Sequence, residues 1–424
     1  MSSSVLNNNL SKKEYFFLQL ILLITIFSSS FVFFKYPFEF YFHYLVFIIL
    51  TPILFFKVGI PKFLFYGSFA FLIIGLVNVS LLNNSIFNFV KIFSGLLLSI
   101  YFFYSLLYLK NFNVKLFFKI YCKLCLIVSF IGVVQVISFL INFKYGFDYT
   151  WIFNKWGFIK GGIVGIRVNS ILAEPSQLGI VLSPALFVSV RNLIRRKTLY
   201  FKRWQSLLIV IIVILTTSTI AYFGLLLIVL INTKSFRLRY ILIGLIISIF
   251  GFFVAYRNVN EFRLRVDAAK GLWIEENFDI VNTNNSSFVL YNNLHIAKQN
   301  LIRHPLFGTG LGSHEFAFKN FSLTKKLLNY RFEFNVKDGN SLLIRLCTET
   351  GLIGVILIIL FCVSNLIIEK EKNEKFEIKY VISNAIFILI VLSLLRQGNY
   401  MLNGLPLMFL MYYYNNHQNQ NQYY

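Results

Sequence analysis

Long apolar runs separated by short polar segments make up most of the chain. Many of the runs are about 20 residues long, which is the length that a helix needs to cross roughly 30 Å of hydrocarbon. The pattern predicts an all-α integral membrane protein. The first run is too long for a cleaved signal sequence, so we expect it to remain as a helix. We place spanning segments near residues 15–34, 39–56, 62–82, 86–109, 116–141, 171–190, 240–256, 341–368, 380–396 and 400–414.

One further apolar stretch, residues 206–231, has basic segments on both sides, at 191–204 and 232–239. Basic segments between spans stay in the cytoplasm, and one straight helix would put these two on opposite sides. We therefore predict two short helices that meet in a polar turn, with a single tilted helix as the alternative. Backbone within the membrane must be covered by protein or by a wet cavity. The candidate cavity-lining residues of this turn are Thr216, Thr217, Ser218 and Thr219.

With this hairpin, the pattern predicts about twelve helices and places both termini in the cytoplasm. Residues 1–256 would hold the first nine helices, including the hairpin at 206–231. Residues 257–340 would form one large loop with short helices on the far side of the membrane. Residues 341–424 would hold the last three helices and a cytoplasmic tail.

Composition agrees with a protein dissolved mainly in lipid, since 57% of the 424 residues are hydrophobic and 13% are charged. A soluble domain carries about 25% charged residues. The net charge of +23 comes from cations between the apolar runs, where they orient helices, so we expect no nucleic-acid partner. Cys122 and Cys125 lie inside an apolar run and are predicted to be buried thiols. We expect neither a metal site nor a cofactor.

Residues 165–179 are the first stretch with candidate chemistry, because they place charge just before and at the start of a helix. Glu174 and Pro175 would form the opening turn, where a carboxylate and a proline are both favourable. One interpretation is an acidic helix start. The other is that Arg167 binds a phosphate and that Glu174 accepts a proton at the membrane surface.

Residues 303–316 combine three glycines with ionisable side chains late in the large loop. Closely spaced glycines can aim backbone N–H groups at an anion, and Arg303, His304 and His314 could bind phosphate or move protons. The stretch lacks the strand and the Lys-Ser/Thr ending of a nucleotide loop. A plain turn is the alternative.

Residues 338–355 lead from the loop into the next helix. Arg345 and Glu349 are four residues apart and could pair on one helix face, whereas Gly351 is expected to serve helix packing. Three arginines follow the span at 240–256, close to the far membrane surface, where they could hold phosphate oxygens. They are Arg257, Arg263 and Arg265.

In this order, the pieces resemble the O-antigen polymerase and O-antigen ligase superfamily of bacterial envelopes. The resemblance covers about residues 150–420 and rests on five features: Arg167 before Glu-Pro-Ser at 174–176, the hydroxyl-rich break at 216–219, the large loop, His-Pro-Leu-Phe-Gly-Thr-Gly at 304–310, and Asn-Ser at 340–341 leading to Glu-Thr-Gly-Leu-Ile-Gly at 349–354. The ligase branch often has Ser-Arg-Gly at the break and His-Asn after the loop. Here Thr217, Ser218 and Thr219 stand at the first position, and Gly339 and Asn340 at the second.

The resemblance therefore implies a polymerase, acting without metal on oligosaccharide repeat units linked to polyprenyl diphosphate. It would build O-antigen, capsular polysaccharide or exopolysaccharide in a bacterial inner membrane, with its active site facing the periplasm. A flippase and a chain-length regulator are expected partners. The alternatives are a ligase that transfers the glycan to a lipid or protein, and a non-enzymatic transporter or flippase.

The resemblance and the residues together give a set of expected roles. The candidate bases are Glu174, His304 and His314. The candidate ligands of the diphosphate are Arg167, Arg257, Arg263, Arg265 and Arg303. The candidate cavity-lining residues are Thr217, Ser218, Thr219, Asn340, Arg345 and Glu349.

Overall fold

The structure is a computed structural model that describes residues 11–36, 38–232, 250, 252–254, 256–258, 260–275, 285–326, 333–368 and 374–417. The helices of the first half are α1 (Lys12–Phe27), α2 (Phe42–Val58), α3 (Lys62–Ser80), α4 (Ile86–Leu109), α5 (Val114–Leu140), α6 (Lys144–Phe147), α7 (Pro175–Arg195), α8 (Arg203–Leu215) and α9 (Thr219–Ile231). Those of the second half are α10 (Asn260–Trp273), α11 (Asn285–Arg303), α12 (His314–Phe321), α13 (Leu342–Ser364), α14 (Glu374–Arg396) and α15 (Leu405–His417). Two short 3₁₀ turns, Leu323–Lys326 and Leu402–Gly404, and one antiparallel ribbon of β1 (Val32–Phe34) and β2 (Phe40–Tyr41) complete the described elements.

Six helices in the described part of the chain are long and apolar enough to cross a membrane, which agrees with the predicted all-α membrane class. They are α3, α4, α5, α7, α13 and most of α14. Helices α2, α8 and α9 are apolar but shorter. The total of twelve spans stays a prediction, and most of the predicted span at 240–256 lies outside the described residues.

The first predicted span, 15–34, is wrong at its end. Ser11 caps the start of α1 by accepting from the backbone of Glu14, and the helix ends at Phe27. The aromatic residues that follow form the β1–β2 ribbon instead of another helical turn. The hydroxyl of Ser30 donates to the carbonyl oxygen of Ile171 at 2.5 Å, so a tertiary contact directs the chain away from the helix here.

Helix α7 lies at the centre of the bundle. Of the 18 residues in its most apolar stretch 83% are buried, compared with 17% in the corresponding stretch of α3. It packs against α8, α9 and α14, and α9 approaches so closely that a Cβ on Gly179 would lie 2.5 Å from the Cβ of Ala221. Helix α3, in contrast, exposes large side chains such as Tyr66 and Phe69, which suits contact with lipid.

Helices α8 and α9 form the predicted hairpin. Both of its outer ends meet the last turns of α7: Asn192 Nδ2 donates to Ser206 Oγ at 3.4 Å, and Arg191 Nη1 donates to Asn232 Oδ1 at 3.5 Å. The two helices thus run away from this end and back again. The non-helical break between them, residues 216–218, confirms the prediction of a polar turn, and a single tilted helix is excluded.

We call the end of the bundle where the hairpin begins and ends the basic end, because three cations surround Glu377 there. Its carboxylate lies 3.5 Å from Arg191, 3.9 Å from Arg195 and 2.5 Å from Lys197. The opposite end, which holds the hairpin break, is the loop end. Cys122 and Cys125 are buried in α5 between the two ends, as predicted.

Candidate functional site

The hairpin break meets Arg167 at the loop end. Arg167 Nε donates to the carbonyl oxygen of Thr216 at 3.4 Å, and the next backbone N–H, of Val168, donates to the carbonyl oxygen of Leu215 at 3.1 Å. The last carbonyls of α8 would otherwise lack partners at this depth. The segment before α7 therefore closes the break and holds a guanidinium beside it.

Thr217 has a backbone conformation that is rare for its residue type. Its φ of 45° is in the left-handed region, which a β-branched side chain seldom adopts, and its buried hydroxyl oxygen has no partner among the described residues. A Cβ on the neighbouring Gly162 would lie 2.9 Å from that oxygen. Strained backbone of this kind gathers at functional sites. Ser218 is buried beside Thr217, and Thr219 is exposed at the start of α9.

A buried amide network fixes the segment between Arg167 and Glu174. Gln135 of α5 donates to Asn169 Oδ1 at 3.0 Å and accepts from the N–H of Ser170 at 2.9 Å. Asn169 Nδ2 donates in turn to the carbonyl oxygen of Leu172 at 3.1 Å. Because each buried polar group has a partner, the network holds these residues in one conformation.

Glu174 stands at the loop end with its carboxylate available. It precedes α7 as predicted, but its side chain makes no capping bond to the helix backbone. It is exposed and accepts one hydrogen bond, from Ser176 Oγ at 3.0 Å. Arg396, in the last turn of α14, is half-buried and feels the negative charges of both Glu174 and Asp338. Arg396 was not among the residues predicted from the sequence, although its place at the end of a predicted span is a usable signal.

The glycine-rich stretch at 304–310 forms backbone hydrogen bonds with α13 on both sides of a break in that helix, and we call this arrangement the lock. Helix α13 is broken at Gly351, whose φ is 62° and ψ is −157°. On one side of the break, the N–H groups of Thr309 and Gly310 donate to carbonyl oxygens of α13, each at 2.9 Å. On the other side, the N–H of Leu352 donates to the carbonyl oxygen of Pro305 at 2.8 Å. The plain-turn interpretation therefore accounts for these glycines without any ligand.

We expect Gly351→Ala to destabilise the protein by about 3 kcal/mol or more, because it combines a strained φ with a steric clash. A Cβ at this position would lie 2.5 Å from the backbone oxygen of Leu306. Thermal unfolding in detergent measures the effect. Gly67→Ala is the matched control, since Gly67 also lies in a candidate spanning helix but has open space around it. Equal unfolding temperatures for the two variants would show that the lock is not needed.

His314 is completely buried, and both of its ring nitrogens have partners. Asn293 Nδ2 donates to the carbonyl oxygen of Val289, so Asn293 Oδ1 is left to accept from His314 Nε2–H at 3.2 Å. His314 Nδ1 lies 3.0 Å from the hydroxyl oxygen of Thr348. Burial, reinforced by the charge of Arg345, lowers the pKa of His314 to about 3, so the ring is neutral at pH 7. This geometry favours a structural role.

Arg345 and Glu349 pair on one helix face, as their spacing predicted. Arg345 Nε lies 2.7 Å from Glu349 Oε1, and both side chains are almost fully buried. Tyr400 donates to the second carboxylate oxygen at 2.9 Å, and Arg345 Nη1 donates to the carbonyl oxygen of Gly398 at 2.7 Å. Asn340 is half-buried nearby and donates its N–H to Asp338 Oδ1 at 3.2 Å.

The other predicted cations lie in exposed parts of the large loop. Arg303 ends α11 with its guanidinium 4.7 Å from the ring of Phe321, and the half-buried His304 follows it. Arg257 and Arg263 are exposed just before and within α10. The side chain of Arg265 is outside the described part of the structure. The described contacts thus bring Arg167 to the break, and Glu174 lies at the same end of the bundle at the start of α7, but none of these loop residues is seen to join them.

Comparison with known proteins gives no relative that would assign this site. No family model matches the chain, and no curated protein sequence matches it either.

Proposed function

We propose that this chain is a membrane glycosyltransferase that polymerises oligosaccharide repeat units linked to polyprenyl diphosphate. Its products would be O-antigen, capsular polysaccharide or exopolysaccharide, and the loop end would face the periplasm of a bacterial inner membrane. The observation that carries the proposal is Arg167 held against the hairpin break, with the exposed carboxylate of Glu174 at the same end of the bundle, where α7 begins. A cation for a diphosphate and a carboxylate for a proton are the two groups that this transfer needs.

Each residue of this cluster has one role in the proposed reaction. A hydroxyl oxygen of the acceptor glycan attacks the anomeric carbon of the donor sugar, and its proton passes to a carboxylate oxygen of Glu174. The bond between the anomeric carbon and the diphosphate oxygen breaks, and the diphosphate leaves with the electron pair. Arg167 stabilises the charge on the leaving diphosphate. Arg396, whose charge interacts with that of Glu174, is a second cation that supports the same charge.

Glu174 is a better candidate base than His314. Its carboxylate is exposed and accepts one hydrogen bond from a side chain, so a substrate hydroxyl can approach it. His314 is enclosed, and its low pKa makes it a weak acceptor of protons at pH 7. His304 lies at the start of the lock, where its backbone N–H donates to the carbonyl oxygen of Asn300 at 2.8 Å.

Activity of the purified protein tests the proposal. Lipid-linked repeat units mixed with the protein in detergent should give a ladder of polymer on a gel, and the ladder should persist in EDTA because the proposed roles are filled by side chains. An absolute requirement for a divalent cation would contradict this mechanism.

Loss of the gene separates the proposed function from its two rivals in cells. A polymerase deletion leaves single repeats at the cell surface. A ligase deletion would instead leave free polymer that is not attached to its acceptor, and a flippase deletion would leave lipid-linked repeats in the inner leaflet.

A further inference from the structure

A large polar cavity opens at the loop end, away from Arg167. It has a volume of about 950 Å³ and lies between α2, α4 and the segment 333–345. This volume is at the upper end of the range for small-molecule sites, which is roughly 300–1,000 Å³. The cavity is therefore large enough for a bulky headgroup.

Two of the cations that line this cavity, Lys91 and Lys337, lie near each other, whereas Lys155 and Arg345 are paired with carboxylates. Lys91 of α4 is half-buried and donates to Asn88 Oδ1 at 3.3 Å. The charges of Lys337 and Arg345 repel it, and those of Glu315 and Glu349 attract it. Neither Lys91 nor Lys337 forms a salt bridge with any described residue. A half-buried ammonium among like charges near lipid is costly, and such groups mark ligand sites.

Two of the acids that line the cavity are paired with lysines. Glu39 is bound by Lys155 at 2.5 Å, and Glu315 is bound by Lys319 at 2.7 Å. Asp338 accepts from Asn335 at 2.9 Å. With Glu333, which is exposed, four carboxylates and five cations line the cavity, so its formal charge is +1.

An apolar crevice of about 450 Å³ adjoins the polar cavity. Asn399 and Met401 line the cavity, and Tyr400 between them lines the crevice. Helix α4 continues from one to the other, with Gly95 in the cavity wall and Ile100 in the crevice wall. A cationic cavity next to an apolar crevice fits a molecule with an anionic headgroup and a hydrocarbon tail.

We propose that this cavity binds a second polyprenyl diphosphate lipid, with the diphosphate at Lys91 and Lys337 and the isoprenoid chain in the crevice. Its role as the acceptor site rests on the proposed function, since a polymerase must hold two lipid-linked substrates at once. Asp338, which lines the cavity, and Glu174 both act on Arg396, so the cavity and the base share a neighbour.

Native mass spectrometry of the purified protein with undecaprenyl diphosphate tests the proposal. We expect two bound lipids per wild-type chain. The Lys91→Ala/Lys337→Ala double variant should lose one of them, through affinity that falls by about tenfold or more. Lys144→Ala is the control, because this lysine is exposed and does not line the cavity. A double variant that binds two lipids as the wild type does would overturn the proposal.

Three further ligands show which part of the lipid is recognised. Inorganic diphosphate, uncharged polyprenol and phosphatidylglycerol should each bind the cavity at least about tenfold more weakly than undecaprenyl diphosphate, since the first two lack one half of the molecule and the third lacks the diphosphate. Equal binding of inorganic diphosphate would show that the crevice does not contribute to binding. Equal binding of polyprenol would show that the cations of the cavity do not contribute. Equal binding of phosphatidylglycerol would make it a site for ordinary membrane lipid.

The variants also separate this proposal from the proposed function. If the double variant keeps both lipids while Arg167→Ala stops polymer formation, the cavity assignment is wrong and the function stands. If the cavity binds the lipid but the purified protein forms no glycosidic bond, the binding site stands and the function is wrong.

Discussion

Arg167→Ala is expected to abolish polymer while single repeats still reach the cell surface. The guanidinium lies 3.4 Å from the carbonyl oxygen of Thr216, at the break where the diphosphate is proposed to bind. Removing one preorganised group that stabilises transition-state charge lowers a rate by roughly 100-fold or more. Gel analysis of surface glycans in cells that carry the variant in place of the wild-type gene measures the chain length.

Two variants control for the effect of Arg167. Arg167→Lys should recover part of the activity, because an ammonium keeps the charge but cannot form two parallel bonds to phosphate oxygens. Lys160→Ala should leave polymer unchanged, since this exposed cation pairs with Ile166 through its backbone only. Full-length polymer from Arg167→Ala at normal protein level would rule out the assigned role.

Glu174→Gln is expected to lower kcat by about 10²- to 10⁴-fold, the usual contribution of a general base. The amide has nearly the same shape as the carboxylate and can still accept the hydrogen bond from Ser176, so folding should be unaffected. Steady-state rates of the purified variant with lipid-linked repeats, at matched protein concentration, measure the loss.

Ser176→Ala is the matched control, because it removes the same hydrogen bond but leaves the carboxylate in place. It should change kcat only a few-fold, in line with one hydrogen bond of about 1 kcal/mol. If Glu174→Gln and Ser176→Ala have equal activity, the base is another group. Parallel rates for His304→Ala then decide whether the loop histidine takes that role.

The hairpin could be predicted from sequence because two independent signals agreed. Basic flanks at 191–204 and 232–239 required both ends on one side, and four hydroxyl residues supplied the turn. Arg345 and Glu349 were equally accessible to prediction, since a spacing of four residues fixes a common helix face. Local patterns of this kind depend on few tertiary contacts.

The polar cavity and the lock depend on contacts between distant segments, so the sequence could not reveal them. Lys91 is one lysine in an apolar run until Lys337, far along the chain, is placed beside it. His314 reads as a candidate base until Asn293 and Thr348 enclose it. The end of α1 at Phe27 was misjudged for the same reason, because the ribbon that follows is as apolar as a helix would be.

The short helices of the hairpin have a consequence for the surrounding bilayer. Each has 13 residues, and 13 residues of helix are about 20 Å long, against roughly 30 Å of hydrocarbon. Their outward side chains, including Leu207, Ile211 and Leu226, cover only that shorter height. Local thinning of the bilayer is one way for lipid to match so short an apolar height. A charged headgroup that moves laterally in the bilayer then meets a lowered membrane surface beside Arg167.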